Sequence, residues 1–110
     1  MQPNYIRGDV ILACPFPGGK VRPCVVLRVM STGGLALAHL GTGDFGRLGY
    51  RVDAAFFDRV TWLSASVSVY FVNDNWSPRL IGNLPEETVI ELEDTLMDAL
   101  FDVALDSVSG

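Results

Sequence analysis

The stretch "RGDVILACPFPGGKVRPCVVLRVM", Arg7 to Met30, decides the fold. Residues 8–16 are almost continuously apolar and rich in β-formers, which is the pattern of a strand covered on both faces. "PFPGGK" reads as a turn, because Gly18-Gly19 can supply positive φ. Residues 21–30 form the return strand. Pro23 has no N–H to give to a ladder, so it must stand at an edge, at a bulge or at the strand's beginning. A hairpin needs neither a cation nor a proline just after its turn, so Arg22-Pro23 calls for a further explanation.

Working outward, "STGG" (31–34) is the next turn and "LALAHL" (35–40) a third strand, ending at Gly41-Thr42-Gly43. "GDFGRLGYR" (43–51) is glycine-rich and reads as a loop or irregular hairpin. Residues 56–63 fit a strand or a short helix, with strand favoured. In "SASVSVYFV" (64–72), Val67, Val69 and Phe71 alternate with Ser66, Ser68 and Tyr70, a period of two with one polar face. Residues 73–83 read mostly as loop. From Asn83 the period changes. Asn83 with Glu86 fits an N-cap and capping box, with Pro85 tolerated in the first turn. Val89, Leu92, Leu96, Leu100 and Val103 then form one apolar stripe on a helix of about five turns. A run of short strands followed by one helix, with no β-α-β crossovers, predicts a mainly β fold. A curved antiparallel sheet or small barrel, capped by the helix, satisfies it.

At 110 residues the chain predicts a single domain, 1–110, able to bury a core unaided. Apolar residues make up 49% and charged residues 19%, which excludes a disordered chain. No apolar run approaches the roughly 20 residues that cross a bilayer. The start "MQPNYIRGD" shows no secretory h-region, so a soluble cytoplasmic protein is expected. Cys14 and Cys24 fall on the two hairpin strands, where they could lie nearly opposite; they read as small buried thiols, kept reduced. One histidine and no Cys-x-x-Cys predict no metal site and no cofactor. Charge is uneven. Glu86, Glu87, Glu91, Glu93, Asp94, Asp98, Asp102 and Asp106 follow Pro85 with no cation among them. Residues 1–84 hold all eight cations against five acids. The acidic total opposes nucleic-acid binding, and the mildly basic first part softens that objection.

Gly8-Asp9-Val10 opening a strand, then "PFPGGKVRPCVVL" (15–27), resembles the signature of the MazF/PemK toxins, endoribonucleases of type II toxin–antitoxin systems. Thr42 falls where that family has a threonine ending its third strand, and Ile81-Gly82-Asn83-Leu84 before an acidic helix is similar to its close. The resemblance implies an SH3-like small barrel, a homodimer and an antitoxin partner. It also implies metal-independent cleavage of single-stranded RNA to 2′,3′-cyclic phosphate and 5′-hydroxyl ends. Arg22 and Thr42 would then be catalytic. A planar guanidinium grips two phosphate oxygens where charge develops, and Pro23 fixes the backbone beside it. Phe16, Gly18, Gly19, Lys20 and Arg79 would bind RNA, the glycines by close backbone approach and Phe16 by stacking on a base.

Some members of that family carry an arginine and an aspartate as acid and base on the strand matching 66–73; here those positions hold Phe71 and Asn73. Asp74 and Arg79 lie nearby as substitutes. His39 is the one side chain that titrates near neutrality unaided, and it should face away from Thr42, three residues on. Three functions stay open. The chain is an active ribonuclease, a non-cleaving relative binding nucleic acid or protein through the same groove, or a barrel that binds protein through its acidic helix.

Overall fold

The computed structural model describes residues 4–14, 20–42, 48–71 and 78–109, with side chains as far as Phe101. Five strands, β1 (Asp9–Ala13), β2 (Arg22–Val29), β3 (Gly34–Gly41), β4 (Trp62–Phe71) and β5 (Arg79–Asn83), precede one helix, α1 (Glu86–Ser109). The strands form one curled sheet in the order β4-β3-β2-β1-β5, and every pairing is antiparallel. The sheet does not close: β4 and β5 are its two edges. The fold is thus mainly β with a C-terminal helix, a curled sheet rather than a barrel.

Alternation along the strands builds two cores. Val10, Val25, Ala38, Leu40 and Leu63 face the helix and pack with Val89, Leu92 and Leu96. Ile11, Ala13, Cys24, Val26, Leu35 and Leu37 face the other way and pack with Tyr5 and Tyr70. This explains the unbroken apolar run of β1, which lies between β2 and β5 with a core on each side. Pro23 stands one residue inside β2. The β3 ladder begins only at Cys24↔His39, so the missing N–H falls where β2 still has a single partner.

Gly8-Asp9 is a structural joint. Gly8 has φ +94, and a Cβ there would lie 2.8 Å from the Leu84 carbonyl oxygen. Its N–H donates to Val26 and its carbonyl accepts from Leu84, at 2.8 and 2.9 Å. Asp9 is buried and accepts from the Ile6 N–H (2.8 Å) and the Asn83 side-chain amide (2.9 Å). The joint ties the chain's start to the strand that launches the helix.

Several sequence expectations need correction. Residues 56–63 are not a strand of their own. Turns occupy 55–60, and the strand begins at Trp62 and runs on as β4. Tyr50–Val52 run beside Thr61–Leu63, through Val52 N–H to the Thr61 carbonyl and Leu63 N–H to the Tyr50 carbonyl. Residues 79–83 are a strand, read as loop because a short bulged edge strand carries no alternation. Asn83 does not cap the helix; its amide is engaged by Asp9, and the Pro85 carbonyl accepts from Thr88 and Val89 instead. Glu86 reaches Arg7, which also holds Glu93 and the Leu27 carbonyl. The helix has 24 residues, about seven turns, but its buried stripe ends at Leu96; Leu100 is exposed and the side chain of Val103 lies outside the described residues. Cys24 faces Ile11, so Cys14 is not its partner across the hairpin. The two thiols are not joined.

Candidate nucleic-acid interface

The topology brings the starts of β2, β4 and β5 and the ends of β1 and β3 to one end of the sheet. The registers Ala13↔Arg22, Leu12↔Arg79 and Gly41↔Trp62 put Arg22, Thr42 and Arg79 at that end, and Lys20 precedes Arg22 there. The turn after Val52 adds Arg59 and Asp58. The acidic helix begins at the opposite end, beyond Asn83. Four of the chain's cations therefore share one end of a molecule whose net charge is −5.

A cleft of about 630 Å³ opens at this end on the helix side of the sheet. Leu12, Pro23, Leu80 and Ile81 form its apolar part. Phe56 and Phe57, with ring centroids 4.8 Å apart and tilted by 57°, form an aromatic wall. Thr42, Arg79, Arg59, Asp58 and Thr61 supply its polar groups. Phe56 lies against Gly82: a Cβ at that glycine would come within 2.3 Å of its ring. Arg59 is set by its turn, whose geometry is fixed when the Thr61 hydroxyl donates to the Arg59 carbonyl (2.9 Å). The cleft pairs stacking surface with guanidinium groups, the combination that holds unstacked nucleotides.

The predicted site residues divide between two faces. Thr42 and Arg79 line the cleft, with Pro23 between them. Arg22 is not among the described lining residues. It alternates with Pro23 and leaves the sheet on the far side, in line with Cys24 and Val26. Its charge acts there on Cys24 and His39. Phe16, Gly18 and Gly19 lie outside the described residues, as do Asn73 and Asp74. Lys20 is exposed. Phe71 is described and exposed; its ring packs over Gly34. Phe56, Phe57 and Arg59 are site residues that the strand-like composition of "FFDR" conceals. Paired aromatics beside Asp-Arg were the available sign of a surface turn.

On the Arg22 face, His39 is buried, and its Nε2 lies 2.7 Å from the Ser68 Oγ. Burial first, and the Arg22 charge second, lower the His39 pKa, so the ring is neutral at pH 7. Burial pushes the Cys24 thiol up to about 12, against the opposing pull of Arg22. His39 and Thr42 do face opposite ways, as the strand period requires.

No profile of a known protein family matches the chain, and no curated protein is significantly similar to it.

Proposed function

We propose that the chain is a MazF/PemK-like endoribonuclease, the toxin of a type II toxin–antitoxin pair, acting on single-stranded RNA in the cytoplasm. One observation carries the reading: the fold assembles Arg22, Arg59, Arg79 and Lys20 with Thr42 and the Phe56–Phe57 wall at one end of the sheet. That end meets the charge and stacking needs of an unpaired RNA strand. The order of Gly8-Asp9, Arg22-Pro23 and Thr42 along the chain agrees with it. No helix among the described residues is long and apolar enough to cross a membrane.

Arg22 binds the scissile phosphate and takes up the charge that grows on its oxygens as the 2′-hydroxyl attacks. The cleft on the other face holds a neighbouring nucleotide, with Arg79 on phosphate and Phe56 or Phe57 against the base. The antitoxin covers this same end with an acidic segment. The homodimer forms through the apolar row Val67, Val69 and Phe71. The sequence alternation is present there, but the serines turn towards the covered side and the apolar row is exposed.

A second reading, a non-cleaving RNA binder, is favoured by Phe71, a side chain that moves no proton. Denaturing-gel cleavage of a mixed-sequence RNA separates the two. Wild type should cleave, with EDTA present, and leave cyclic phosphate ends. Folded Arg22→Ala should lose about 10²–10³ in rate, and Thr42→Val about fivefold, the worth of one neutral hydrogen bond. Purified wild type that binds RNA but never cleaves it establishes the second reading; cleavage undiminished in Arg22→Ala removes Arg22 from the site.

A further inference from the structure

We infer that Ser68 and His39 form the proton relay that activates the attacking 2′-hydroxyl, on the sheet face that carries Arg22. The inference rests on the ribonuclease reading and supplies the acid–base groups that the Phe71 position cannot. The geometry runs across three strands. Cys24 pairs with His39, and Arg22, two residues before Cys24, is the diagonal neighbour of His39 on the same face. Diagonal neighbours lie about 7–8 Å apart, within reach of a long side chain. On the other side of His39, a register shift in the β3–β4 ladder between Ala38 and Leu40 leaves Ser68 free to reach back to the ring. The row is therefore Arg22, His39, Ser68, from the middle of the sheet to its edge.

Burial decides the roles. His39 is 4% exposed, so it cannot touch a nucleic acid itself. Ser68 is half-buried and stands on an edge strand, where a ligand can reach its hydroxyl. Ser68 is therefore the catalytic residue and His39 the proton acceptor behind it. In a flat sheet, two strand spacings and four residues of offset place Arg22 about 16 Å from Ser68 between Cα atoms. An extended arginine, a bound phosphodiester and the adjoining ribose together span that gap.

The chemistry balances. The 2′-oxygen forms its bond to phosphorus as the 2′-hydroxyl proton passes to the Ser68 Oγ. The Ser68 proton passes to Nε2 of neutral His39, with Nδ1 already protonated. The bond from phosphorus to the 5′-oxygen breaks, and that oxygen takes a proton from a solvent water. The hydroxide so formed takes the proton from His39, which returns neutral. Arg22 has two effects. It adds to burial in lowering the His39 pKa of the free protein, and the phosphate it binds cancels part of its charge, so His39 becomes more basic once RNA is seated.

Charged and titratable groups face His39 from each element packed against it. From β2 they are Arg22 and Cys24, the latter shifted to about 12; from β4, Ser68 and Tyr70; from the N-terminal segment, Tyr5. Burial raises both tyrosines above their usual value. Cys14 lies near Tyr70, and Asp9, at the far end of the face, is bonded to Ile6 and Asn83.

The test is the pH–rate profile of wild type, Ser68→Ala, Ser68→Thr and His39→Gln on a defined RNA. Affinity for the 2′-deoxy analogue and circular dichroism serve as controls. Wild-type kcat/KM should fall with unit slope on an acid limb below pH about 6.5, and the kcat limb should lie higher. Ser68→Ala should lose about 10²-fold or more in kcat with analogue affinity unchanged. Ser68→Thr should keep most of the activity, and folded His39→Gln should lose both rate and acid limb. A wild type that cleaves with a flat profile, or a Ser68→Ala within threefold of wild type, overturns the relay and leaves the ribonuclease reading intact. A wild type that cleaves no RNA removes that reading, and the relay with it.

Discussion

Replacing Gly82 by alanine should damage the cleft through one contact. The added Cβ would sit 2.3 Å from Cδ1 and Cε1 of Phe56 and 2.7 Å from its Cγ. Carbon atoms rest at about 3.5–4.0 Å, so the ring must retreat by more than ~1 Å. It cannot do so freely, because Phe56 packs against the helix-side core and is in contact with Phe57. Overpacking of this kind costs about 1–3 kcal/mol. Against it stands the entropy gained when glycine leaves the unfolded chain, about 0.4–1 kcal/mol. The clash wins, leaving a net loss of roughly 1–2 kcal/mol, or about 4–8 °C in Tm for a domain of this size. Because the displaced ring forms the cleft wall, RNA affinity should fall as well. Thermal unfolding by circular dichroism and fluorescence anisotropy with a labelled oligonucleotide read the two effects. A Gly82→Ala protein with unchanged Tm would show that Phe56 is not seated on this glycine. One with lowered Tm but unchanged affinity would show that the aromatic wall does not touch RNA.

Asp9→Ala should cost about 3 kcal/mol in urea unfolding, since it strands the Ile6 N–H and the Asn83 amide that the buried carboxylate now receives. Arg7→Met should cost less, and its cost should shrink in high salt, because its partners Glu86 and Glu93 are solvent-accessible. Stability should fall as pH rises from 9 towards 12, measured by chemical denaturation: over that range the unfolded chain has released the Cys24 proton and the folded chain keeps it. Cys24→Ala should remove the part of that loss that begins near pH 9, leaving the part above pH 10 that comes from Tyr5, Tyr50 and Tyr70, whose pKa values burial also raises. At the acid side His39 acts in the opposite sense. Its lowered folded pKa makes stability decline as pH drops below 6.5, where the unfolded histidine charges first.

The mainly β fold with its helix was legible because both signals are strong and local: the apolar run of 8–16, the Ser/Val alternation of β4 and the three-four spacing after Pro85. β5 was not, since "RLIGN" owes its extended form to pairing with β1 and to the Asp9–Asn83 bond, contacts that span 67 to 74 residues. The same contact took Asn83 away from the capping role its local spacing suggested. For the candidate site, the sequence led to Arg22, Thr42 and Arg79, and the register brings all three to one end. It could not tell that Arg22 and Thr42 leave the sheet on opposite faces, because that depends on which residue of each strand opposes which. The turn carrying Phe56, Phe57 and Arg59 was hidden for a related reason: its apolar side chains pack as a loop on the core, and a strand-like composition resulted. His39 looked like an ordinary strand histidine until β4, twenty-nine residues on, brought Ser68 to its Nε2.

The most direct measurement is amide chemical-shift mapping of the wild type as it binds a 2′-deoxy analogue of single-stranded RNA, which cannot be cleaved. Shifts should concentrate at 20–24, 39–42, 56–61, Ser68 and 79–82, on both faces of the one sheet end and along the row to Ser68, and should spare Glu87–Asp98 of the helix. Shifts confined to the helix, or none at the Arg22 end at concentrations where fluorescence anisotropy shows the oligonucleotide bound, would contradict the placement of the RNA site.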